Sequence, residues 1–127
     1  MKLNDTNVLG EELQTCSLQP LTGFLRDGDC RLPATDFGVH GVCAQVTAEF
    51  LAFTRSRGND LTTANPLGGF PGLKPGDRWC LCADRWQEAF QNGCAPPVVL
   101  DATHADVLKR IPLSRLTAHA LTDPTGE

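Results

Sequence analysis

Two short stretches of alternating polarity, residues 39–46 and 78–82, most constrain how this chain can fold. In the first, Val42, Ala44 and Val46 alternate with Gly41, Cys43 and Gln45; in the second, Trp79 and Leu81 alternate with Cys80 and Cys82. A period of two is the mark of a half-buried strand. Successive side chains on a strand point to opposite faces. If the two strands are neighbours, Cys43, Cys80 and Cys82 therefore share one face, and Val42, Ala44, Trp79 and Leu81 share the other. That partition is the starting point for everything below.

Helical signals follow each strand. Thr47 offers an N-cap, Glu49 suits the positive end of a helix, and Phe50 and Phe53 recur at three-residue spacing before Arg55, Arg57 and Gly58 close the segment. After the second strand, Asp84 with Gln87 reads as a capping pair, Trp86, Ala89 and Phe90 form an apolar stripe, and Gly93 ends it. Pro96 and Pro97 lead into a third strand at Val98, Val99 and Leu100. Thr103 with Asp106 predicts a helix near 104–111 carrying Leu108 and Ile111 inward, and Ser114 caps a short last helix. Residues 1–38 are irregular, with a turn at Arg26-Asp27-Gly28-Asp29 and a short hairpin pairing 23–25 with 30–32. The fold class is α+β: a small two-layer α/β sandwich, with a mixed sheet of about three to five strands. Helices lie on one face, and the irregular N-terminal segment 1–38 covers the other. The chain reads as a single domain, 1–127, with a strand-helix body over 39–121.

A chain of 127 residues buries about two thirds of its surface on folding, enough for a core without metals or disulfides. Net charge of −4 argues against a broad phosphate-binding surface, so no nucleic-acid partner is expected. No apolar run approaches the ~20 residues of a membrane span, and Met1-Lys2-Leu3-Asn4-Asp5 opens no signal peptide. The expected location is cytoplasmic, with no membrane partner. Disulfides are uncommon there. The six cysteines, Cys16, Cys30, Cys43, Cys80, Cys82 and Cys94, then read first as packed apolar thiols, and otherwise as metal ligands or reactive thiols. The metal reading collects Cys30, His40, Cys43, Cys80 and Cys82, with zinc as the ion such donors suit, although no CxxC pair is present.

Asp77, Arg78 and Trp79 form a polar rim where a long loop meets a strand, and with His104 they are the candidate ligand-binding residues. The plainer alternatives are a local Asp77–Arg78 ion pair and a buried His104 bonded to backbone. His119 is expected to be solvated. The loop over 59–77 exceeds the usual connection length, and its Leu67, Phe70 and Leu73 should fold back to wall a groove near Trp79. There is no GxSxG, HExxH or phosphate loop, and no tyrosine at all, so no enzyme class is indicated. The leading functional reading is a small domain with a Cys/His-lined site for a metal or small ligand. A non-enzymatic protein-interaction module using the 59–77 loop is the alternative, and a cysteine-dependent enzyme or redox protein is the third.

Several longer motifs carry a resemblance. Asn7-Val8-Leu9-Gly10, Thr22-Gly23-Phe24 with Arg26-Asp27-Gly28, His40-Gly41-Val42-Cys43-Ala44 and Ser56-Arg57-Gly58-Asn59-Asp60-Leu61 are four of them. To these are added the run from Phe70 through Pro71-Gly72-Leu73-Lys74-Pro75-Gly76-Asp77-Arg78-Trp79 to Cys80-Leu81-Cys82, and Ala95-Pro96-Pro97-Val98-Val99-Leu100 with Ala102-Thr103-His104. Together they resemble the bacterial domain of unknown function family 2237, from about Asn7 to about Ala120. The resemblance implies a small α/β two-layer domain and brings no established activity, cofactor or catalytic residues. Asp29 stands where the family pattern leads one to expect a second cysteine beside Cys30, and Cys94 where none is expected.

Overall fold

The two alternating stretches do form strands, and they are neighbours. In the computed structural model, which describes residues 5–121, β1 (Val42–Gln45) and β2 (Arg78–Leu81) pair antiparallel. Val42 lies opposite Leu81, Cys43 opposite Cys80, and Ala44 opposite Trp79. Strand parity then sorts the side chains as alternation requires. Val42, Ala44, Trp79 and Leu81 enter the larger core, whereas Cys43 and Cys80 join Cys16, Cys30 and Ala102 in a second, smaller cluster.

The larger core is completed by helices. α1 (Ala48–Ser56) starts where Thr47 caps it, its side chain accepting from the Phe50 amide at 3.0 Å. α2 (Ala83–Gln91) buries Ala83, Trp86 and Ala89 at three-residue spacing. It begins one residue before the expected start: Cys82 occupies the N-cap without a side-chain bond, and Asp84 lies in the first turn. α3 (Leu113–Ala118) has Pro112, not Ser114, at its cap and sends Leu116 into the core. The fold is thus α+β, with three α-helices and a small antiparallel sheet.

Four local expectations are corrected. The sheet has two strands rather than three to five, and it is not mixed. Val98 contributes only isolated bridges, antiparallel to Ala44 and parallel to Ala120. Pro96 and Pro97 lack donors on one side, and on the other the chain turns into a 3₁₀ helix at Leu100–Ala102, so pairing stops after one position. No hairpin joins 23–25 to 30–32, where the segment is held by turns and by cross-links described below. The helix expected near 104–111 is a 3₁₀ helix over Ala105–Lys109 capped by the His104 ring, not by Thr103. His119 is not solvated: its ring meets Trp86 and Phe90 edge-on, each with centroids 5.4 Å apart.

Thr103 is instead used in the sheet. Fully buried, its hydroxyl accepts from the Cys43 amide at 3.1 Å and donates to the Val99 carbonyl at 2.8 Å. Thr103→Val keeps the shape but leaves that amide without its acceptor. The expected loss is about 1–3 kcal/mol of stability, read from urea midpoints at unchanged slope.

The 59–77 loop is built as expected in part. Leu73 is buried and Phe70 meets Trp79 edge-on at 5.2 Å. Leu67 does not fold back: it sits on a 3₁₀ turn (Pro66–Gly68) and is fully exposed. An Asn65–Phe70 bridge pinches the loop and turns Leu67 outward at the tip.

Candidate functional site: a cross-linked sulfur cluster beside an aromatic cleft

The sulfur-bearing face of the sheet is covered by the N-terminal segment, and that is where the cysteines converge. Cys16 and Cys43 form one disulfide, with Cα atoms 5.7 Å apart; Cys30 and Cys80 form another, with Cα atoms 5.4 Å apart. The expectation of packed free thiols is overturned for these four. The physical reason is register: pairing Cys43 with Cys80 presents two sulfurs side by side, and the segment laid over them delivers one partner to each. The sulfurs of Cys16, Cys30 and Cys80 all lie within 4.8 Å of one another. Hydrogen bonds hold the strand backbone beneath them, Cys80 donating its amide to the fully buried Thr22 hydroxyl at 2.8 Å.

Two thiols remain free, Cys82 and Cys94. Cys94 is buried in the larger core, and burial, with Glu49 adding to it, pushes its thiol pKa up. It is an inert packing residue. Cys82 is half-buried and opens onto a cleft.

That cleft, about 580 Å³, lies at the β2 edge between the N-terminal segment and the 59–77 loop. Its apolar walls are Phe24, Phe70 and Trp79. Its polar groups include Arg26, His40 and Asp60, and both Cys80 and Cys82 reach it. This size and mixture fall within the range typical of small-molecule sites.

Each polar group is fixed by its surroundings. Arg26 adopts a left-handed backbone (φ 55°), held by its amide and its Nη1 both donating to the Gly23 carbonyl at 3.0 and 2.7 Å. Its guanidinium lies 5.0 Å over the Trp79 ring, and among the described residues no carboxylate pairs with it. His40 is anchored by Asp36, whose side chain is fully buried. One carboxylate oxygen accepts from Nδ1 at 2.7 Å, and the other accepts from the His40 amide at 2.9 Å. With Nδ1 donating, Nε2 is left as the acceptor nitrogen. Gly38 makes room for this ring, since a Cβ there would stand 2.6 Å from Cε1. Val39, just before His40, is also left-handed (φ 54°), which a β-branched residue strongly resists. The non-glycine residues with positive φ among those described are thus Arg26 and Val39, one in the cleft wall and one next to it. Backbone strain of this kind concentrates at functional sites. Asp60 is held well below the usual carboxylate range by hydrogen bonds from the Thr63 and Thr62 hydroxyls and the Thr62 amide.

The residues singled out from the sequence are divided between several places. Of the metal set, Cys30, Cys43 and Cys80 meet in the sulfur cluster, whereas His40 and Cys82 face the cleft, and Cys16 completes the cluster instead. Of the ligand-binding set, Trp79 lines the cleft. Asp77 turns back to accept from the Lys74 amide at 2.9 Å, and Arg78 borders a different cleft with Leu9 and Val99. His104 is buried: its Nδ1 accepts from the Asp106 amide at 3.0 Å and its Nε2 meets Asp5 Oδ1 at 3.1 Å, the structural role weighed above. Asp36, Arg26 and Phe24 were not among the candidates. The four-residue spacing of Asp36 and His40 was a visible signal; the placement of Arg26 over Trp79 had none.

No helix among the described residues is long and apolar enough to cross a membrane. A comparison with curated proteins finds no match to the chain. A family model described as "Uncharacterized protein conserved in bacteria (DUF2237)" matches residues 6–120.

Proposed function

For this chain, which belongs to the DUF2237 family of proteins conserved in bacteria, we propose a small-ligand-binding function centred on the cleft beside Trp79. The observation that carries this reading is the Arg26 guanidinium, held over an aromatic wall without a carboxylate partner among the described residues. Such a group recognises an anion, and the Phe24, Phe70 and Trp79 walls accept an apolar body. The ligand is a small organic anion with an apolar portion. Phenylacetate is a suitable probe and phenethylamine its cationic counterpart. Phenylacetate should quench Trp79 fluorescence saturably, with Trp86 as a constant buried background. Arg26→Ala should weaken binding at least tenfold. Equal responses to the two probes, unaffected by Arg26→Ala, would refute the reading.

A second reading rests on the convergence of sulfurs. With both disulfides reduced, Cys16, Cys30, Cys43 and Cys80 offer four thiolates at one buried point, the donor set of closed structural zinc sites. His40 and Cys82 fall outside that set. In a reducing cytoplasm the thiol form would prevail and zinc would take the place of the cross-links; in an oxidising compartment the disulfides would stand. Protein reduced anaerobically with a phosphine and dialysed against zinc should then carry close to one metal per chain, and cobalt should give a thiolate charge-transfer band. Reduced protein that retains no metal would end this reading.

A further inference from the structure

The cleft brings together three groups that ligand binding alone does not need: a free thiol, a histidine fixed by a buried carboxylate, and one end of a disulfide. Cys82 and Cys80 both reach it, and Cys80 is bonded to Cys30. We propose that Cys82 is the entry thiol of a thiol–disulfide exchange site that reacts with small anionic thiols. The proposal rests on the cleft being a ligand site and names its substrate class: a low-molecular-weight thiol bearing a carboxylate.

The backbone permits the central step. Cys80 and Cys82 are two residues apart in extended chain, Cys82 having φ −60° and ψ 131°. Extended residues at that spacing have Cα atoms about 6.6 Å apart, inside the limit of about 6.8 Å for a disulfide. The Cys82 side chain makes no capping bond to α2 that would have to be broken. His40 presents Nε2 as the acceptor nitrogen because Asp36 occupies Nδ1, which suits it to take the thiol proton.

The chemistry then balances in three steps. The Cys82 sulfur, its proton passing to His40, attacks the Cys80 sulfur; the Cys80–Cys82 bond forms, the Cys30–Cys80 bond breaks, and Cys30 leaves as a thiolate that takes up a proton. A small thiolate, oriented by its carboxylate on Arg26, attacks the Cys82 sulfur and releases Cys80 as a thiol, leaving a mixed disulfide on Cys82. A second small thiol attacks the sulfur of the first, forming the small-molecule disulfide and regenerating Cys82. Overall, two small thiols lose two electrons and the Cys30–Cys80 disulfide becomes two thiols.

Reduced glutathione is the probe and cysteamine its cationic counterpart, both used anaerobically with acid-quenched alkylation and tryptic mapping. Cys80 and Cys82 lie on one tryptic peptide, residues 79–85, whereas Cys30 lies on another, so each disulfide state has its own mass. We expect glutathione to appear on the 79–85 peptide at Cys82, and Cys82→Ala to slow loss of the Cys30–Cys80 bond at least tenfold with an unchanged circular dichroism spectrum. His40→Gln should slow the reaction and flatten its pH profile near neutrality, and Asp36→Asn should do the same to a smaller degree. Equal rates for wild type and Cys82→Ala, or glutathione attached first to Cys30, would overturn the exchange site. Exchange at Cys82 that runs equally fast with cysteamine would overturn the anionic substrate class, and with it the role given to Arg26, while leaving the exchange chemistry standing.

Discussion

Reducing both disulfides in the presence of a chelator should lower the unfolding temperature by about 20 °C or more, the largest effect expected of any single treatment. The Cys16–Cys43 link spans 27 residues and the Cys30–Cys80 link spans 50. Chain-entropy reasoning gives about 3.6 and about 4.1 kcal/mol for loops of these lengths. The loops interleave, since Cys30 lies inside the first and Cys43 inside the second, so closing one already shortens the other; the sum is an upper bound. At roughly 3–5 °C per kcal/mol for a chain of this size, even two thirds of that sum gives the stated shift. Calorimetry with and without a phosphine reductant, both with chelator, measures it. A shift below about 5 °C would mean that the covering segment is held by packing and hydrogen bonds alone. Repeating the reduced sample with zinc separates the two readings of the cluster, because metal binding to four thiolates would restore much of the lost stability.

Trp86→Ala should cost about 3–5 kcal/mol, the largest loss expected from one substitution outside the cysteines. Trp86 is fully buried, stacks on Phe90 with ring centroids 5.8 Å apart, and donates its indole N–H to the Pro96 carbonyl at 3.1 Å. The substitution therefore removes the largest side chain of the core and strands a buried acceptor. It also loosens the segment that sends Val98 to Ala44. Because Trp86 does not line the cleft, the fraction of protein still folded should retain phenylacetate binding dependent on Arg26. Denaturant titration gives the first quantity, and fluorescence of Trp79 alone gives the second.

How far the sequence carried the analysis differs from element to element. Thr47 with Phe50 and Phe53 specified the start and inner face of α1, because an N-cap bond and a three-residue spacing are local matters. The same locality failed at α2 and at Ala105–Lys109, where Asp84 and Thr103 looked like caps. Thr103 was claimed by a long-range bond to Cys43, which no window of sequence contains. The third strand failed for a similar reason: Val98, Val99 and Leu100 have strand composition, but a strand needs a partner for more than one position.

Parity was the most productive inference from sequence alone. A strand's two-residue period assigned Cys43 and Cys80 to the face opposite Val42 and Leu81 before any partner was known, and side-chain alternation is a property of the extended backbone itself. It stopped at the strand ends, so it misdirected His40, which precedes β1 and is oriented by Asp36 instead. Which cysteine bonds to which, by contrast, was decided only by the tertiary structure. Disulfide pairing requires Cα atoms within a few ångström of each other, and residues 16 and 43, or 30 and 80, are brought that close solely by how the irregular segment crosses the sheet. The cleft has the same origin: Arg26, His40, Phe70 and Cys82 lie far apart in the chain, and their joint chemistry exists only where three separate segments meet.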